Sequence, residues 1–212
     1  MDEKEEIRQT EPENTPDAPK EESLLKEFLG YVKILVITFI VCFLLTRFVF
    51  VNAYVPSSSM ETTIMTGDRV LGLRLAYTFS EPQRGDIVIF KYPVDEEVLY
   101  IKRIIGLSGE TVRIEDGSIY INGVALEEDY LPEEWVTGND GYEFSVPEDS
   151  YLMLGDNRNV SVDARYWASE ALADGVAENA EEASEYTYVS RDKMVAKALF
   201  VFWPFDDIKA IW

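Results

Sequence analysis

The sequence predicts a mainly β domain attached to one N-terminal transmembrane helix. Three features predict it: an uncharged apolar run over 34–46, later short runs rich in Val, Ile, Tyr and Phe, and the dipeptide Asp116-Gly117. An apolar stretch of about 20 residues spans a bilayer. Short β-branched and aromatic runs favour strands, and Asp-Gly favours a two-residue hairpin turn. We therefore expect a membrane-anchored all-β protein.

The N-terminal segment 1–28 is polar, acidic and interrupted by Pro12, Pro16 and Pro19. A segment of this composition buries too little apolar surface to offset its chain entropy. We expect residues 1–28 to form a disordered acidic tail on the cytoplasmic side.

The transmembrane helix is predicted over 29–51. Lys33 and Arg47 lie near the ends of the apolar run, where their long side chains can reach the headgroups. A cleaved signal peptide is the alternative, but it normally begins near the N-terminus with a basic region and ends in small residues. Here an acidic tail comes first, and residues 48–51 are Phe-Val-Phe-Val. The sequence therefore favours an anchor.

The orientation of the anchor follows from the basic residues around it. Lys20, Lys26 and Lys33 come before the apolar run, against Arg47 just after it. Basic residues accumulate on the cytoplasmic side, so we predict the N-terminus inside and residues 52–212 outside. This gives a single-pass plasma-membrane protein with an extracytoplasmic domain.

Seven runs after the apolar segment have the composition of strands. They are Asp68–Leu75, Asp86–Tyr92, Val98–Ile105, Glu110–Ile114, Ser118–Ile121, Tyr151–Leu154 and Val195–Phe202. The dipeptide Asn122-Gly123 marks a second turn. Segment 168–186 is rich in Ala and Glu and has no basic residue. We expect it to be a solvated acidic insertion, either a short surface helix or a mobile loop.

Composition excludes several classes of function. The formal net charge of −21 repels nucleic acid, whose phosphates need a surplus of Lys and Arg. The chain has no histidine, so a Ser-His-Asp triad, a Cys-His pair and any His-ligated metal are excluded. Cys42 is the single cysteine and forms no intrachain disulfide. We expect no metal and no cofactor, so acid–base chemistry falls to carboxylates, Lys, Tyr and hydroxyls.

The first chemical motif is Val55-Pro-Ser-Ser-Ser-Met60, directly after the span. Pro and Ser clusters often form flexible linkers, and that reading remains open for the motif alone. The strand pattern resumes within about ten residues, however, which argues against a long linker.

The second motif places Lys102 and Arg103 side by side in a strand that is apolar on both faces. Neighbours in a strand point to opposite faces. A buried Lys loses its proton readily, whereas Arg does not and is the better partner in an ion pair. Lys102 is therefore the candidate base and Arg103 the structural residue; two surface charges at a strand edge are the alternative.

The third motif, 155–167, is a loop in which acidic and basic residues alternate. Its charged side chains (Asp156, Arg158, Asp163 and Arg165) can pair across the loop, and the Ser161 hydroxyl can donate or accept a hydrogen bond. The nearby arginines argue against a calcium loop, which needs clustered oxygen ligands.

Together these motifs resemble the bacterial type I signal peptidase family, in the same order and behind an N-terminal anchor. The resemblance extends to the closing segment 197–205. It implies a signal-peptidase-type antiparallel β-sheet or partial barrel. It also implies a membrane-bound serine endopeptidase that removes N-terminal signal peptides from exported preproteins after Ala-x-Ala-like sites.

The resemblance also implies roles for particular residues. By position, Ser59 is the nucleophile and Lys102 the general base. The Ser57 hydroxyl assists the Ser59 backbone N–H in holding the oxyanion, and Ser161 orients the Lys102 amine. Asp163 and Arg165 match a supporting ion pair.

Substrate is expected to bind as an added β-strand with small side chains in shallow apolar pockets. Ala53 and Val55 alternate along the predicted edge, and Tyr100 lies on the same strand face as Lys102. We expect these three residues to line the pockets and Tyr100 to help shield the amine. The expected partners are signal peptides and the lipid bilayer; contact with the secretion machinery stays open.

The chain departs from the family pattern at four positions, and its acidic segment 168–186 is longer than the family leads us to expect there. Ser58 replaces the usual Gly between the two functional serines, Ser108 and Glu110 stand where Pro and Asp are common, and Ala164 stands where Ser is common. Ser58 raises the question of which hydroxyl attacks. The other three changes remove no predicted catalytic group.

Three alternatives remain open from the sequence. A specialised peptidase would serve a narrow substrate set rather than general secretion. A self-cleaving repressor-type protease shares the Ser/Lys pair, but the membrane span argues against it. A non-catalytic membrane-tethered β module has no need for Ser59, Lys102 and Ser161 together.

Overall fold

The computed structural model describes residues 21–131 and 134–211, in two compact units that divide after Phe43. Most of the predicted acidic tail, residues 1–20, lies outside the described residues. Its last part is helical rather than disordered, because the first helix already begins at Glu21.

Helix α1 (Glu21–Leu44) forms the described part of the first unit, and the chain continues in a π-helical turn over Leu45–Val49, which is counted with the second unit. Among the described residues this is the one helix long and apolar enough to cross a membrane, with a candidate span of Leu24–Val49. Its 26 residues exceed the roughly 20 that a bilayer core needs. The predicted end at Val51 was two residues too late, because the chain has by then entered a strand.

The second unit is built mainly from strands. The strands are β1 (Phe50–Tyr54), β2 (Arg69–Leu73), β3 (Ile87–Lys91), β4 (Leu99–Gly106), β5 (Thr111–Glu115), β6 (Ser118–Ile121), β7 (Val124–Ala125), β8 (Tyr142–Ser145), β9 (Ser150–Leu154), β10 (Val189–Ser190), β11 (Met194–Trp203) and β12 (Lys209–Ala210). The short helices are α2 (Ala76–Phe79), α3 (Trp167–Ala173) and α4 (Ala180–Glu185).

The strands form two antiparallel sheets, which confirms the predicted mainly β fold. The larger sheet has the order β1-β2-β11-β3-β4-β9-β10, with β12 beside β11, and the smaller has the order β7-β6-β5-β8. Each of the seven predicted runs contains a strand. The missed strands are β7, β8, β10 and β12, of two to four residues, and β1, whose first two residues fell in the predicted span. The two-residue strands are too short for alternation to show.

The predicted turns are present at both dipeptides. Asp116 and Gly117 connect β5 and β6 with φ values of 47° and 72°. Asn122 and Gly123 connect β6 and β7 with φ values of 50° and 83°. Positive φ at both central residues is what a type I′ hairpin turn requires.

The larger sheet curls so that strands far apart in its order face each other. Val51 of β1 packs in one cluster with Ile89 of β3 and Ala196 of β11, and Ile101 of β4 packs against it. Gly72 in β2 leaves room inside the curled sheet, because a Cβ there would lie 3.1 Å from Ile89 Cδ1 of β3 as well as 3.0 Å from the Ala196 Cβ. This curling brings β1 near β4, and a groove lies between them.

Segment 168–186 is better ordered than a solvated insertion. It contains most of α3 and all of α4, whose small side chains Ala171, Ala177 and Ala183 are buried together. Val94, in the connection between β3 and β4, packs against them. Short alanine side chains let the two helices pack closely, so part of this segment belongs to the core.

Candidate active site

Ser59 lies in a tight turn that follows β1. Met60 and Ile64 next to it are fully buried, which anchors the turn in the core. The backbone oxygen of Ser59 accepts a hydrogen bond from the Asn157 N–H at 3.1 Å, and the Asn157 side chain donates to the Ser58 oxygen at the same distance. The turn is therefore fixed by its packing against the core and by hydrogen bonds to the loop after β9.

Lys102 lies in β4 opposite Val88 of β3, and its side chain is buried with 4% of the residue exposed. Its Nζ donates a hydrogen bond to Ser59 Oγ at 2.6 Å. Burial lowers the pKa of the amine from 10.5 to about 8, against the opposing attraction of Asp163 and Asp156. The ring centroid of Tyr100 lies 5.4 Å from Nζ, consistent with the expected shielding.

Arg103 points to the opposite face of β4 from Lys102. Its guanidinium donates two hydrogen bonds to the Asp156 carboxylate, and a third, of 2.9 Å, to the Gly85 oxygen. The ring of Tyr130 lies 4.0 Å from the guanidinium carbon. Asp156 also accepts a hydrogen bond from Thr63 Oγ1 at 2.5 Å. These contacts connect β4, the loop after β9 and the segment after Ser59.

Ser57 lies beside Ser59, with their hydroxyl oxygens 3.4 Å apart. Ser57 is exposed, whereas Ser59 is only 8% exposed. An exposed hydroxyl beside the Ser59 oxygen is suited to hold a developing oxyanion.

Ser161 is buried next to the same turn. Gly155 makes this approach possible, because a Cβ at position 155 would overlap Ser161 Oγ and the Ser59 oxygen. Ser161 Oγ has no hydrogen-bond partner among the described residues. The hydroxyl is therefore available, but it does not bond to Lys102 in this structure, and its orienting role stays a prediction.

The loop that carries Ser161 is held by a buried network of charges. Asp163 and Arg165 form an ion pair of 2.8 Å between fully buried side chains, and the Arg165 guanidinium also donates to the Arg158 oxygen at 2.8 Å. Arg158 pairs with Glu128 at 2.5 Å, instead of with an acid of its own loop as the sequence suggested. Glu128 lies outside every motif, so no local pattern could identify it.

A groove with a volume of about 580 Å³ leads to Ser59 and Lys102. Ala53 and Tyr100 line it and are half-buried. Val55 borders it too, but is 2% exposed and packs in the core with Met60. The groove follows the outer edge of β1 and the part of β4 that β9 does not pair with.

This arrangement defines a class of protein. A buried lysine amine bonded to a serine hydroxyl at the end of an apolar groove is the arrangement of a serine hydrolase in which lysine takes the place of histidine. The described residues contain no group of three or more acidic, Cys or His side chains suited to hold a metal ion.

Comparison with known proteins agrees with that class. The family described as "Signal peptidase, peptidase S26" matches residues 28–203. The "Probable signal peptidase I-2" of Synechocystis sp. is 36% identical over 89% of this chain and 77% of its own length. "Signal peptidase I T" of Bacillus subtilis is 31% identical over 94% of this chain and 98% of its own length.

A solved structure is also similar in sequence. The crystal structure of a signal peptidase I from Enterococcus faecalis is 31% identical and covers 56% of this chain and 97% of its own, with a TM-score of 0.41. On the family match and the sequence identities, the chain belongs to the signal peptidase family, peptidase S26, and is a serine peptidase.

Proposed function

We propose that this protein removes N-terminal signal peptides from exported preproteins, with Ser59 as nucleophile and Lys102 as general base. The observation that carries the proposal is the 2.6 Å hydrogen bond from a buried Lys102 amine to Ser59 Oγ. A serine hydroxyl is a poor nucleophile without a base beside it. A pKa of about 8 leaves a useful fraction of the amine neutral near physiological pH.

The reaction proceeds through an acyl-enzyme. The neutral Lys102 amine takes the Ser59 hydroxyl proton while the oxygen attacks the carbonyl carbon of the scissile peptide. The C–N bond then breaks, and the Lys102 ammonium gives its proton to the leaving amine of the mature protein. Water next attacks the ester with Lys102 again as base, which releases the signal peptide as a carboxylic acid and restores Ser59.

The oxyanion of each tetrahedral intermediate is assigned to the Ser59 backbone N–H and the Ser57 hydroxyl. Donors that are already in place when the charge develops lower the barrier because they need no reorganisation. The 3.4 Å separation of the Ser57 and Ser59 hydroxyl oxygens supports this assignment. Ser161 is assigned to orient the amine, since its buried hydroxyl has no hydrogen-bond partner among the described residues and is free to accept from Lys102.

The groove supports the proposed preference for small side chains. Its edges on β1 and β4 can pair with an extended peptide, and the side chains of Ala53, Ile101 and Tyr100 narrow the space for substrate residues. A substrate strand that runs along these edges reaches Ser59 at the end of the groove. The Ala-x-Ala preference is therefore proposed to arise from the depth of this groove.

Helix α1 is proposed to anchor the enzyme in the plasma membrane with its N-terminus in the cytoplasm. Its described apolar side chains are exposed within the molecule, as lipid contact requires. The next structured residue after the span, Phe50, already belongs to the catalytic domain. Because the connection is so short, cleavage sites that emerge from the bilayer would be presented to the groove, near the secretion machinery.

Cleavage of a preprotein with an Ala-x-Ala site tests the proposal, with the full chain in detergent or lipid. We expect Ser59→Ala and Lys102→Ala each to abolish cleavage with folding intact. Ser118→Ala and Lys91→Ala are matched controls on exposed strand positions and should cleave as wild type does. Cleavage by Ser59→Ala would instead assign the nucleophile to Ser57 or Ser58.

The range of substrates separates two versions of this function. A general enzyme would cleave many unrelated preproteins at similar rates, whereas a specialised one would cleave few. Absence of cleavage by the wild type across a broad panel would refute the peptidase proposal and favour a non-catalytic membrane-tethered module.

A further inference from the structure

An aromatic cluster lies behind the wall of the groove beside Lys102. Tyr100 lines the groove, and its ring stacks on Tyr92 with centroids 4.3 Å apart and planes inclined by 9°. Trp167 meets the two rings edge-on, with centroids at 5.8 and 6.3 Å. The position of the Tyr100 ring therefore depends on Tyr92 and Trp167, which lie further from the groove.

The acidic insertion 168–186 is attached to this cluster. The Tyr92 hydroxyl donates a hydrogen bond of 2.7 Å to the Glu170 carboxylate, and Glu170 is half-buried in α3. Trp167 begins the same helix and is fully buried, but its Nε1 has no hydrogen-bond partner among the described residues. Packing alone holds the indole, so the bond to Glu170 is the directional contact that fixes the orientation of Tyr92.

We propose that Glu170 is a positioning residue for substrate selection. Through Tyr92 it holds Tyr100 against the groove and so limits the size of the substrate side chain accepted there. The inference rests on the proposed function, because it names a determinant of that specificity. It also gives the insertion a role, because Glu170 of α3 fixes the position of the aromatic side chains beside the groove.

The physical reason is the freedom of the Tyr100 ring. A ring that is stacked on a fixed neighbour cannot turn out of the groove, and a hydrogen bond to an ionised acceptor is among the stronger contacts that can fix that neighbour. Without the bond, Tyr92 can shift and Tyr100 can follow. A pocket that discriminates by size loses selectivity when one of its side chains can move aside. One methylene group on the substrate changes kcat/KM by a factor of about 10 or more in a rigid pocket.

The test compares cleavage of two preproteins that differ only by Ala or Val at position −1 or −3 of the cleavage site. For Glu170→Ala and for Tyr92→Phe, we expect the Ala-to-Val ratio of kcat/KM to fall about tenfold at one of these positions. The change should come mainly from a lower KM for the Val substrate. Glu170→Gln keeps an acceptor oxygen and should recover most of the selectivity.

The matched control is Glu181→Ala, which removes the same charge from an exposed position in α4 of the same insertion and should leave the ratio unchanged. The double variant Tyr92→Phe/Glu170→Ala should have the ratio of either single variant, because both remove one contact. The pH profile should stay that of the wild type, since Lys102 is not altered.

Two outcomes would overturn the inference. If Glu170→Ala and Tyr92→Phe lower the melting temperature but leave the ratio unchanged, Glu170 has a structural role only. Tyr92→Phe keeps the ring and its packing, so it decides the question even if Glu170→Ala fails to fold. If the wild type cleaves neither preprotein, the proposed function fails instead, and the inference with it.

Discussion

The guanidinium of Arg103 donates two parallel hydrogen bonds, of 2.8 and 2.6 Å, to the carboxylate of Asp156. The two side chains are 8% and 0% exposed. This pair joins the strand that carries Lys102 to the loop that holds Ser161, so it ties both sides of the site together.

Asp156→Ala should destabilise the protein by about 3–5 kcal/mol, because it leaves the buried Arg103 guanidinium without its counter-ion. Chemical unfolding of the full chain in detergent measures the loss. The matched control is Glu115→Ala, which breaks the Arg113–Glu115 pair at 2.9 Å, whose side chains are each 49% exposed. That change should cost less than about 1 kcal/mol. An equal loss of stability in the two variants would contradict the role of Asp156 as the buried counter-ion of Arg103.

Cleavage should depend on pH through Lys102. Burial lowers the pKa of this amine to about 8, and only the neutral amine accepts the Ser59 proton. The value of kcat/KM should therefore rise about tenfold per pH unit below pH 8 and level off above it. The profile is measured with a substrate that does not titrate in this range. A flat profile between about pH 6 and 9 would argue against Lys102 as the base.

Lys102→Met should raise the stability of the folded protein near pH 7 while it abolishes cleavage. The pKa of Lys102 is about 8 when folded against 10.5 as the ordinary value, so the folded state disfavours the charged form. The free-energy penalty for burying the charged amine is complete below pH 8. It decreases between pH 8 and 10.5 and is absent above 10.5. We expect a gain of about 1–3 kcal/mol near pH 7 that shrinks towards pH 10.5.

Unfolding of wild type and Lys102→Met at both pH values measures this gain. Lys91→Met, at an exposed strand position, is the control and should change stability little at either pH. A variant that is less stable than wild type at both pH values would show that the buried amine contributes more than its desolvation costs.

Gly155→Ala should reduce kcat more than about 100-fold, because displacement of catalytic groups by about 1 Å costs that much. The added methyl group would lie 2.6 Å from the Ser161 Cβ and overlap the Ser59 oxygen, so the turn must move. Steady-state cleavage measures the effect. The control is Gly30→Ala in α1, where the new Cβ would meet nothing within 4 Å among the described residues apart from its chain neighbours and the adjacent helix backbone. Near-normal activity of Gly155→Ala would mean that the turn adapts without loss.

Ser57→Ala should lower kcat about 100-fold and leave KM nearly unchanged, since an oxyanion donor acts in the transition state rather than in substrate binding. Ser118→Ala, exposed on β6, is the control. A change in KM alone would assign Ser57 to substrate binding and leave the oxyanion to backbone N–H groups.

Local sequence patterns predicted the elements whose conformation is set by their own residues. They missed the elements whose conformation depends on pairing with a distant segment. The Asp116-Gly117 turn follows from its own backbone preference and is present as expected. The first two residues of β1, Phe50 and Val51, were assigned to the membrane span because they are as apolar as lipid-facing residues. Pairing of Val51 with Gly72 of β2 decides its conformation, and this partner lies 21 residues away in the sequence.

By itself the sequence determined the chemistry available to this protein: no histidine, an apolar helix followed by three serines, and a Lys-Arg pair in a two-sided apolar strand. These are properties of composition and short-range periodicity. Apart from the pairs that the family resemblance implied, the tertiary structure alone decided which groups meet and at what distance. Ser59 and Lys102 are 43 positions apart, Arg158 pairs with Glu128, and Glu170 reaches Tyr92. Such contacts depend on how the sheet curls and how the loops pack against it. No single segment of the sequence determines these features.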